Sequence, residues 1–399
     1  MSGNRTSNTE AGDYSQRSSR ALMHTYNRIP IAFSRGEGAY LFDEEENRYL
    51  DFLAGIAVNA LGYAHPKLTA ALTVQAQKLW HCSNLFEIPS QTELAEKLIA
   101  HSDFTKVFFC NSGTEANEAA LKLARKRGKQ NGGAVNIVAM HKSFHGRTLG
   151  SLSVTGQEKY RKSFAPLLDD VGFIPFNDIS ALRETVNEDT CAVIIEPIQG
   201  EGGIHPAKKE FLQEAREICN KTGALLIFDE VQCGLGRTGT LFAYQQYGVK
   251  PDVVTLAKAL GGGFPIGAVL SIEEAAVFEP GDHAATFGGG PLASTAALAV
   301  VAELTDGGVV ENAAAMGSYL SKKLAALSEK CPRIKEVRGE GLMIGIELTE
   351  AAGPFMESCR ENGLIVGKAG DNVLRLVPPL IIGRNEVDEA VDILEKVIC

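Results

Sequence analysis

The sequence predicts an α/β fold: a large domain on a mostly parallel sheet, with a smaller α+β domain drawn from the N- and C-terminal segments. Three observations carry this. Short β-branched and apolar runs alternate with helical runs through the middle of the chain, and strands buried on both faces belong to a parallel sheet covered by helices. Near Gly308 the alternation stops, and a helix is followed by closely spaced strand-like runs. A chain of 399 residues also exceeds what one small core organises.

Taken in order, residues 1–20 are polar, lack an apolar core and read as a disordered lead. Residues 21–75 contribute to the smaller domain, with a hairpin turning at Asp43–Asn47 and helical spacing from Pro66 to about Trp80. Residues 76–307 form the large domain. There Ser90 and Glu93 have the spacing of a capping box that opens a helix through Leu94 and Leu98. Strand-like runs follow at Lys106–Cys110, Asn136–Met140, Ala192–Ile195, Ala224–Asp229, Val253–Leu256 and Ala268–Ser271. Phe211, Ala215 and Ile218 share one face of an intervening helix. Residues 308–399 supply a helix (Val309–Leu327), strands at Val337–Leu348, Leu364–Val366 and Val373–Val377, and a final helix from about Asn385.

A formal charge of −10 argues against nucleic acid or an anionic membrane as partner, and no apolar run approaches the roughly 18 residues of a membrane span. The eight cysteines are dispersed without a CxxC pair, which reads as reduced thiols in a cytoplasmic protein.

Ligands of open α/β sheets bind beyond the carboxyl ends of the strands, so those ends hold the candidate chemistry. The run from Val253 ends on Lys258, followed by Gly261, Gly262 and Gly263. Burial there would lower the amine's pKa and make it nucleophilic; the alternative is a strand-end lysine reaching solvent. Beyond Cys110, the stretch Asn111-Ser112-Gly113-Thr114-Glu115 opens a long helix whose free amides suit a phosphate. Ser112 and Glu115 also read as a capping box, which leaves Gly113 unexplained.

Asp229, followed by Val231 and Gln232, ends another strand, where a carboxylate could hold a protonated ring nitrogen. The nearby Gly234–Gly239 string matches GxGxxG but leads into no long helix and lacks the distal acid of a dinucleotide site. Phe144 could stack on a flat ring and Arg147 could fork a carboxylate. His141 and His145 have helical metal-pair spacing but no third ligand, so no metal is assigned. Glu196 and Glu201 could be paired acid–base carboxylates, or a loop acid neutralised by an arginine. Arg375, in an apolar run, needs a carboxylate partner from protein or substrate.

A lysine, a ring-holding acid, a stacking aromatic, a phosphate-binding helix start and two arginines together describe a pyridoxal 5′-phosphate site. The chain resembles the class III, fold type I aminotransferases, most closely the acetylornithine aminotransferases, over residues 24–398. The resemblance rests on FFCNSGTEANEAALK, SFHGRT, IIEPIQGEGG, LLIFDEVQCGLGRTG, LAKALGGGFPIGA, TFGG and NVLRLVPPL. It implies Lys258 as the cofactor's covalent anchor, Asp229 on its ring nitrogen, Val231 among the cofactor contacts, Gln232 near the phenolic oxygen and Phe144 on the ring face. Ser112, Gly113 and Thr114 would hold the phosphate, joined by Thr286 of a neighbouring subunit in a homodimer with shared active sites. Arg147 and Arg375 would bind substrate carboxylates, with Glu201 pairing Arg375 when no second carboxylate is present.

Two departures bear on the substrate. Ala285 stands where acetylornithine aminotransferases commonly carry a serine, and Ile56 where ornithine aminotransferases carry a tyrosine. The implied reaction moves the ω-amino group of N2-acetylornithine to 2-oxoglutarate, within arginine biosynthesis. The alternatives are a succinylornithine, succinyldiaminopimelate or 4-aminobutyrate enzyme, or a catalytically silent relative.

Overall fold

The computed structural model describes residues 10–399. Its centre is a seven-stranded sheet in the order Lys106–Cys110, Gly267–Ser271, Val253–Leu256, Leu225–Asp229, Thr190–Ile195, Asn136–Met140, Val171–Ile174. Only Gly267–Ser271 runs antiparallel to its neighbours. The ends of the strands finishing at Cys110, Met140, Ile195, Asp229 and Leu256 therefore share one edge. The expected strands are all present. The additional edge strand Val171–Ile174 pairs with Asn136–Met140 on one side only, and at four residues, three of them half-buried, it lacks a long apolar signature.

The helix Gly113–Gln130 lies across the sheet on a face of small residues, Ala116, Ala119, Ala120 and Ala124, all fully buried. Small side chains let its axis approach the strands closely, which brings its first turn to the strand edge.

The N-terminal strands Phe33–Glu37, Tyr40–Asp43 and Arg48–Asp51 form an antiparallel meander that the C-terminal strand Leu364–Ile365 joins in parallel, Leu364 opposite Leu50. The turn between the last two strands forms where expected: Asp43 Oδ1 accepts from the backbone N–H of Glu45 and Asn47. A second sheet orders Ile334–Glu340, Met343–Leu348, Val373–Leu376 and Gly367–Ala369. Chain ends far apart in sequence thus share one sheet.

Three expectations are corrected. The polar lead is helical over Glu10–Ala21, with the Arg17 guanidinium over the Tyr14 ring one turn back; residues 1–9 lie outside the described residues. The helix carrying Leu94 and Leu98 spans Pro89–Ala100 and has no side-chain cap. Pro89 begins it instead, since proline's missing N–H needs no cap and its φ is already helical. The cysteines are not all reduced: Cys331 and Cys399 form a disulfide with Cα atoms 5.1 Å apart. Their separation of 68 residues hid a pairing that arises because the helices Val309–Lys330 and Arg384–Ile398 pack together.

Candidate active site

The strand ends converge on one cavity of about 430 Å³. Asp229 closes its strand as a buried carboxylate with a full set of donors. Its Oδ2 accepts from Asn117 Nδ2 at 2.8 Å and faces His145 Nδ1 at 2.7 Å, and its Oδ1 accepts from the Val231 N–H at 3.0 Å. Asn117 is fixed in turn, since its Oδ1 accepts from Thr255 Oγ1 at 2.8 Å. The carboxylate is therefore held rigidly at the cavity wall. Sequence reasoning missed Asn117 and the role of His145. Asn117 was visible as the residue one helical turn beyond Gly113, on the same face.

Lys258 lines the same cavity. The chain leaves Val253–Leu256 and turns sharply, placing Lys258 at φ 38° at the start of the short 3₁₀ turn Lys258–Gly261. A non-glycine residue in that region is strained and is held there by its surroundings. Burial pulls the amine down to about 8, an effect that Glu201 partly offsets. The lysine is thus half-buried at the cavity and partly desolvated, not a free surface amine. Neutral amine predominates above pH 8 and ammonium below it. A small aldehyde trapped by borohydride should therefore label Lys258 in ligand-free protein with a midpoint near 8 by peptide mass mapping. Exposed lysines should follow only near pH ~10; a midpoint there for Lys258 would refute its desolvation.

Ser112 caps the helix Gly113–Gln130, its Oγ accepting from Glu115 N–H at 3.3 Å. Glu115 does not complete a capping box on Ser112, because its carboxylate accepts from the Asn111 N–H instead. Ser112, Gly113 and Thr114 line the cavity where this first turn meets it. The structure also explains Gly113: a Cβ there would sit 2.7 Å from Val231 Cγ1, so glycine lets the helix start press on Val231.

Phe144 and Arg147 line the same cavity. The Phe144 ring meets Tyr160 edge-on at 5.9 Å, and the exposed Arg147 guanidinium lies 4.0 Å from the Tyr160 ring centroid. Tyr160 was not foreseen; a lone tyrosine in a polar stretch carries no local signal. His141 and His145 part company, the first exposed against Phe173 and the second buried on Asp229.

Arg375, 3% exposed within Val373–Leu376, meets the Glu201 carboxylate through Nη1, which also donates to Gln232 Oε1 at 3.2 Å. Burial alone would raise Glu201, but the Arg375 guanidinium outweighs it and holds the carboxyl below its ordinary value. Gln232 lines the Lys258 cavity; Glu201 lines a neighbouring one of about 340 Å³ with Lys142, His205 and Arg338. Glu196 and Glu201 are not an acid–base pair. Glu196 is buried, pushed up to about 7 by desolvation, and accepts from backbone N–H groups.

Ala285 and Thr286 are not at the Lys258 cavity of their own chain. They line a separate cavity of about 480 Å³ with Asn84, Gln91 and His283. Ile56 is 41% exposed in a run of positive φ from Ala54 to Ala57, and Val58 two residues on lines the Lys258 cavity.

These residues fit pyridoxal phosphate on structural grounds. A partly desolvated amine, a rigid buried carboxylate and a helix N-terminus with small residues line one cavity, together with Phe144 and Val231.

Comparison with known proteins agrees. Residues 21–398 match the family described as aminotransferase class-III. The chain is 52% identical over 380 residues to the acetylornithine aminotransferase of Caldanaerobacter subterraneus, covering 94% of this chain and 97% of that one. It is 53% identical to the acetylornithine aminotransferase of Gloeobacter violaceus, over 94% and 95% of the two chains. Among solved structures, N-acetylornithine aminotransferase from Stenotrophomonas maltophilia matches with a TM-score of 0.82 at 39% identity, over 96% of this chain and 98% of that one. An ornithine aminotransferase from Toxoplasma gondii, with PLP at its active site, matches with a TM-score of 0.94 at 31% identity, over 97% and 94%. The chain belongs to the class-III aminotransferases, on the fold type I architecture its strand order displays.

Proposed function

We propose that this aminotransferase moves the ω-amino group of N2-acetylornithine to 2-oxoglutarate, giving N-acetylglutamate 5-semialdehyde and glutamate in arginine biosynthesis, with pyridoxal 5′-phosphate as cofactor. The observation that carries the chemistry is the desolvated Lys258 sharing a cavity with the rigidly held Asp229. The acetylornithine assignment rests on relatives near half identity over almost the whole chain. Ile56 favours it over free ornithine.

The cofactor supplies an electron sink for the carbon that bears the reacting amine. Ser112, Gly113 and Thr114 would hold its phosphate at the helix start, with Phe144, Val231 and Gln232 of the same cavity available to its ring and phenolic oxygen. Asp229 would hold the proton on the ring nitrogen, because Asn117, His145 and the Val231 amide fix and aim its carboxylate. The Lys258 Nζ anchors the cofactor and then carries a proton from the substrate carbon and returns it, a task suited to an amine near pH 8.

Arg147 at the cavity mouth binds the distal carboxylate of the acylated donor. Arg375 binds the carboxylate of glutamate that the donor lacks, and Glu201 neutralises Arg375 in the donor half-reaction. The neighbouring cavity beside Glu201 gives its side chain room to leave. Glu201→Ala should therefore speed the glutamate half-reaction relative to the ω-amine half. Truncating Arg375 should damage the glutamate half about a hundredfold or more, and Arg147→Ala should weaken acylated donors. Stopped-flow absorbance reads each half separately, and equal losses in both halves for Glu201→Ala would reduce it to a plain ion-pair partner.

The working unit we propose is a homodimer in which the partner's Thr286 and Ala285 complete the site. Exposed Trp80, Leu85, Phe86 and Phe287 lie around the cavity that holds these residues, an apolar patch suited to an interface. We place the N-terminal segment from residue 21 and the segment from 308 in one smaller domain, on the strength of their shared sheet. Cytoplasmic placement is proposed on the six free cysteines, five of them buried. No single described helix is long and apolar enough to cross a membrane. The deciding experiment is a half-reaction screen with acetylornithine, succinylornithine, succinyldiaminopimelate and 4-aminobutyrate. Preference for any but the first would replace the substrate, and no turnover at all would leave a silent relative.

A further inference from the structure

Of the two described carboxylates lining the Lys258 cavity, Asp229 and Glu196, the reaction gives a task only to Asp229. Glu196 is 5% exposed and lines the cavity at the end of the strand Thr190–Ile195. Among the described residues, neither oxygen meets a cation side chain at bonding distance. Instead, Oε2 accepts from the Phe144 N–H at 3.0 Å and Oε1 accepts from the Gly200 N–H at 3.2 Å. These two amides belong to different loops. The first presents the aromatic wall and Arg147; the second precedes Glu201 directly.

Gly200 is packed tightly as well. A Cβ there would lie 2.5 Å from the Gln232 side chain, and Gln232 in turn accepts from Arg375. A small displacement of Gly200 therefore reaches Glu201 through the chain and Arg375 through Gln232. The loops also touch at a second point, where Gln199 Nε2 donates to the His141 carbonyl at 3.0 Å. That link involves no residue of the cavity wall. Burying a carboxylate is costly, and a neutral side chain could fill the same volume. What a carboxylate adds, ionised above about pH 7, is two acceptor oxygens with no donor, aimed at two N–H groups.

We propose that Glu196 is a positioning residue whose single carboxylate ties the Phe144 loop to the Glu201 loop, so that the ring-facing wall and the arginine switch are set as one unit. This deepens the function proposed above and rests on its assignments of Phe144 and Glu201. Glutamine keeps the volume but turns an NH₂ group toward one of the two amides, so Glu196→Gln breaks one side of the tie. Losing a bond to a charged acceptor and leaving a buried N–H unpaired corresponds to about a tenfold slowing of the half-reactions.

The test is a pair of double-mutant cycles on the cofactor-loaded enzyme, Glu196→Gln with Glu201→Ala and Glu196→Gln with Phe144→Leu. It is joined by amide exchange on the wild-type chain. The tie predicts that the Glu196→Gln effect shrinks at least threefold in each second background, and that the Phe144 and Gly200 amides are both protected from exchange. Additive effects in either cycle overturn it, and so does rapid exchange at either amide, a readout that stands even if Glu196→Gln does not fold. The switch reading is judged separately, by whether Glu201→Ala alone treats the two half-reactions differently. The cycles register coupling between Glu196 and Glu201 in whichever half-reaction is followed.

Discussion

Lys258→Ala leaves a folded protein that turns over at least about a thousandfold more slowly than the parent. Two losses combine: the covalent anchor of the cofactor and the Nζ that moves the proton in the site. Other lysines are poor substitutes. Lys142, for example, is exposed and lines the cavity beside Glu201 rather than the one between Phe144 and Asp229. Fold should survive, because the variant removes a desolvated cation rather than a packing residue, and the strain at φ 38° is a backbone property that alanine inherits. Three measurements follow the prediction: turnover, thermal melting, and borohydride reduction of the loaded protein. Reduction should fix cofactor to the parent and not to the variant. Retained activity together with retained fixation would move the chemistry to another lysine.

Asp229→Asn is the second large effect, a loss of two to four decades in rate. The magnitude follows from removing one partner of a buried charge pair, about 3–5 kcal/mol. The substitution is nearly isosteric, yet the wild-type site is built for an anion. Oδ2 meets both Asn117 Nδ2 and His145 Nδ1, and Oδ1 meets the Val231 N–H. An asparagine must turn its NH₂ toward one of these donors, so the ring nitrogen loses its counter-charge and the surrounding network loses a contact. Cofactor should still bind through the helix start and Lys258. A rate within tenfold of the parent, measured with cofactor saturating, would show that Asp229 does not face the ring nitrogen.

Much of this site was legible in the chain because its parts are local. Strand-end motifs such as Val253–Lys258, Ala224–Asp229 and Lys106–Thr114 each combine an apolar run with a turn and one reactive side chain. In a parallel sheet the carboxyl ends of such runs fall on one edge whatever their order. The sequence by itself therefore determined the α/β class, the strand-end address of Lys258, Asp229 and Gly113, and the requirement that Arg375 find a carboxylate.

Which carboxylate, and what holds the others, was decided by tertiary structure alone. Glu201 lies 174 residues from Arg375, and Asn117 lies 112 residues from Asp229. Neither pairing has any sequence period, because one joins a helix to a strand end and the other a loop to a strand of the second sheet. The same is true of Glu196, whose partners are backbone amides with no residue-type signature, and of Cys331 with Cys399, joined across two helices. Local rules also yielded where packing was stronger. Pro89 began the helix in place of Ser90, and Gly113 proved to be required by Val231 as well as suited to a phosphate. Periodicity and turn chemistry act over a few residues and so can be read from a sequence. The field at Asp229 and the contacts of Arg375 depend on groups brought within 3 to 4 Å by the whole fold, and only the folded chain brings them there.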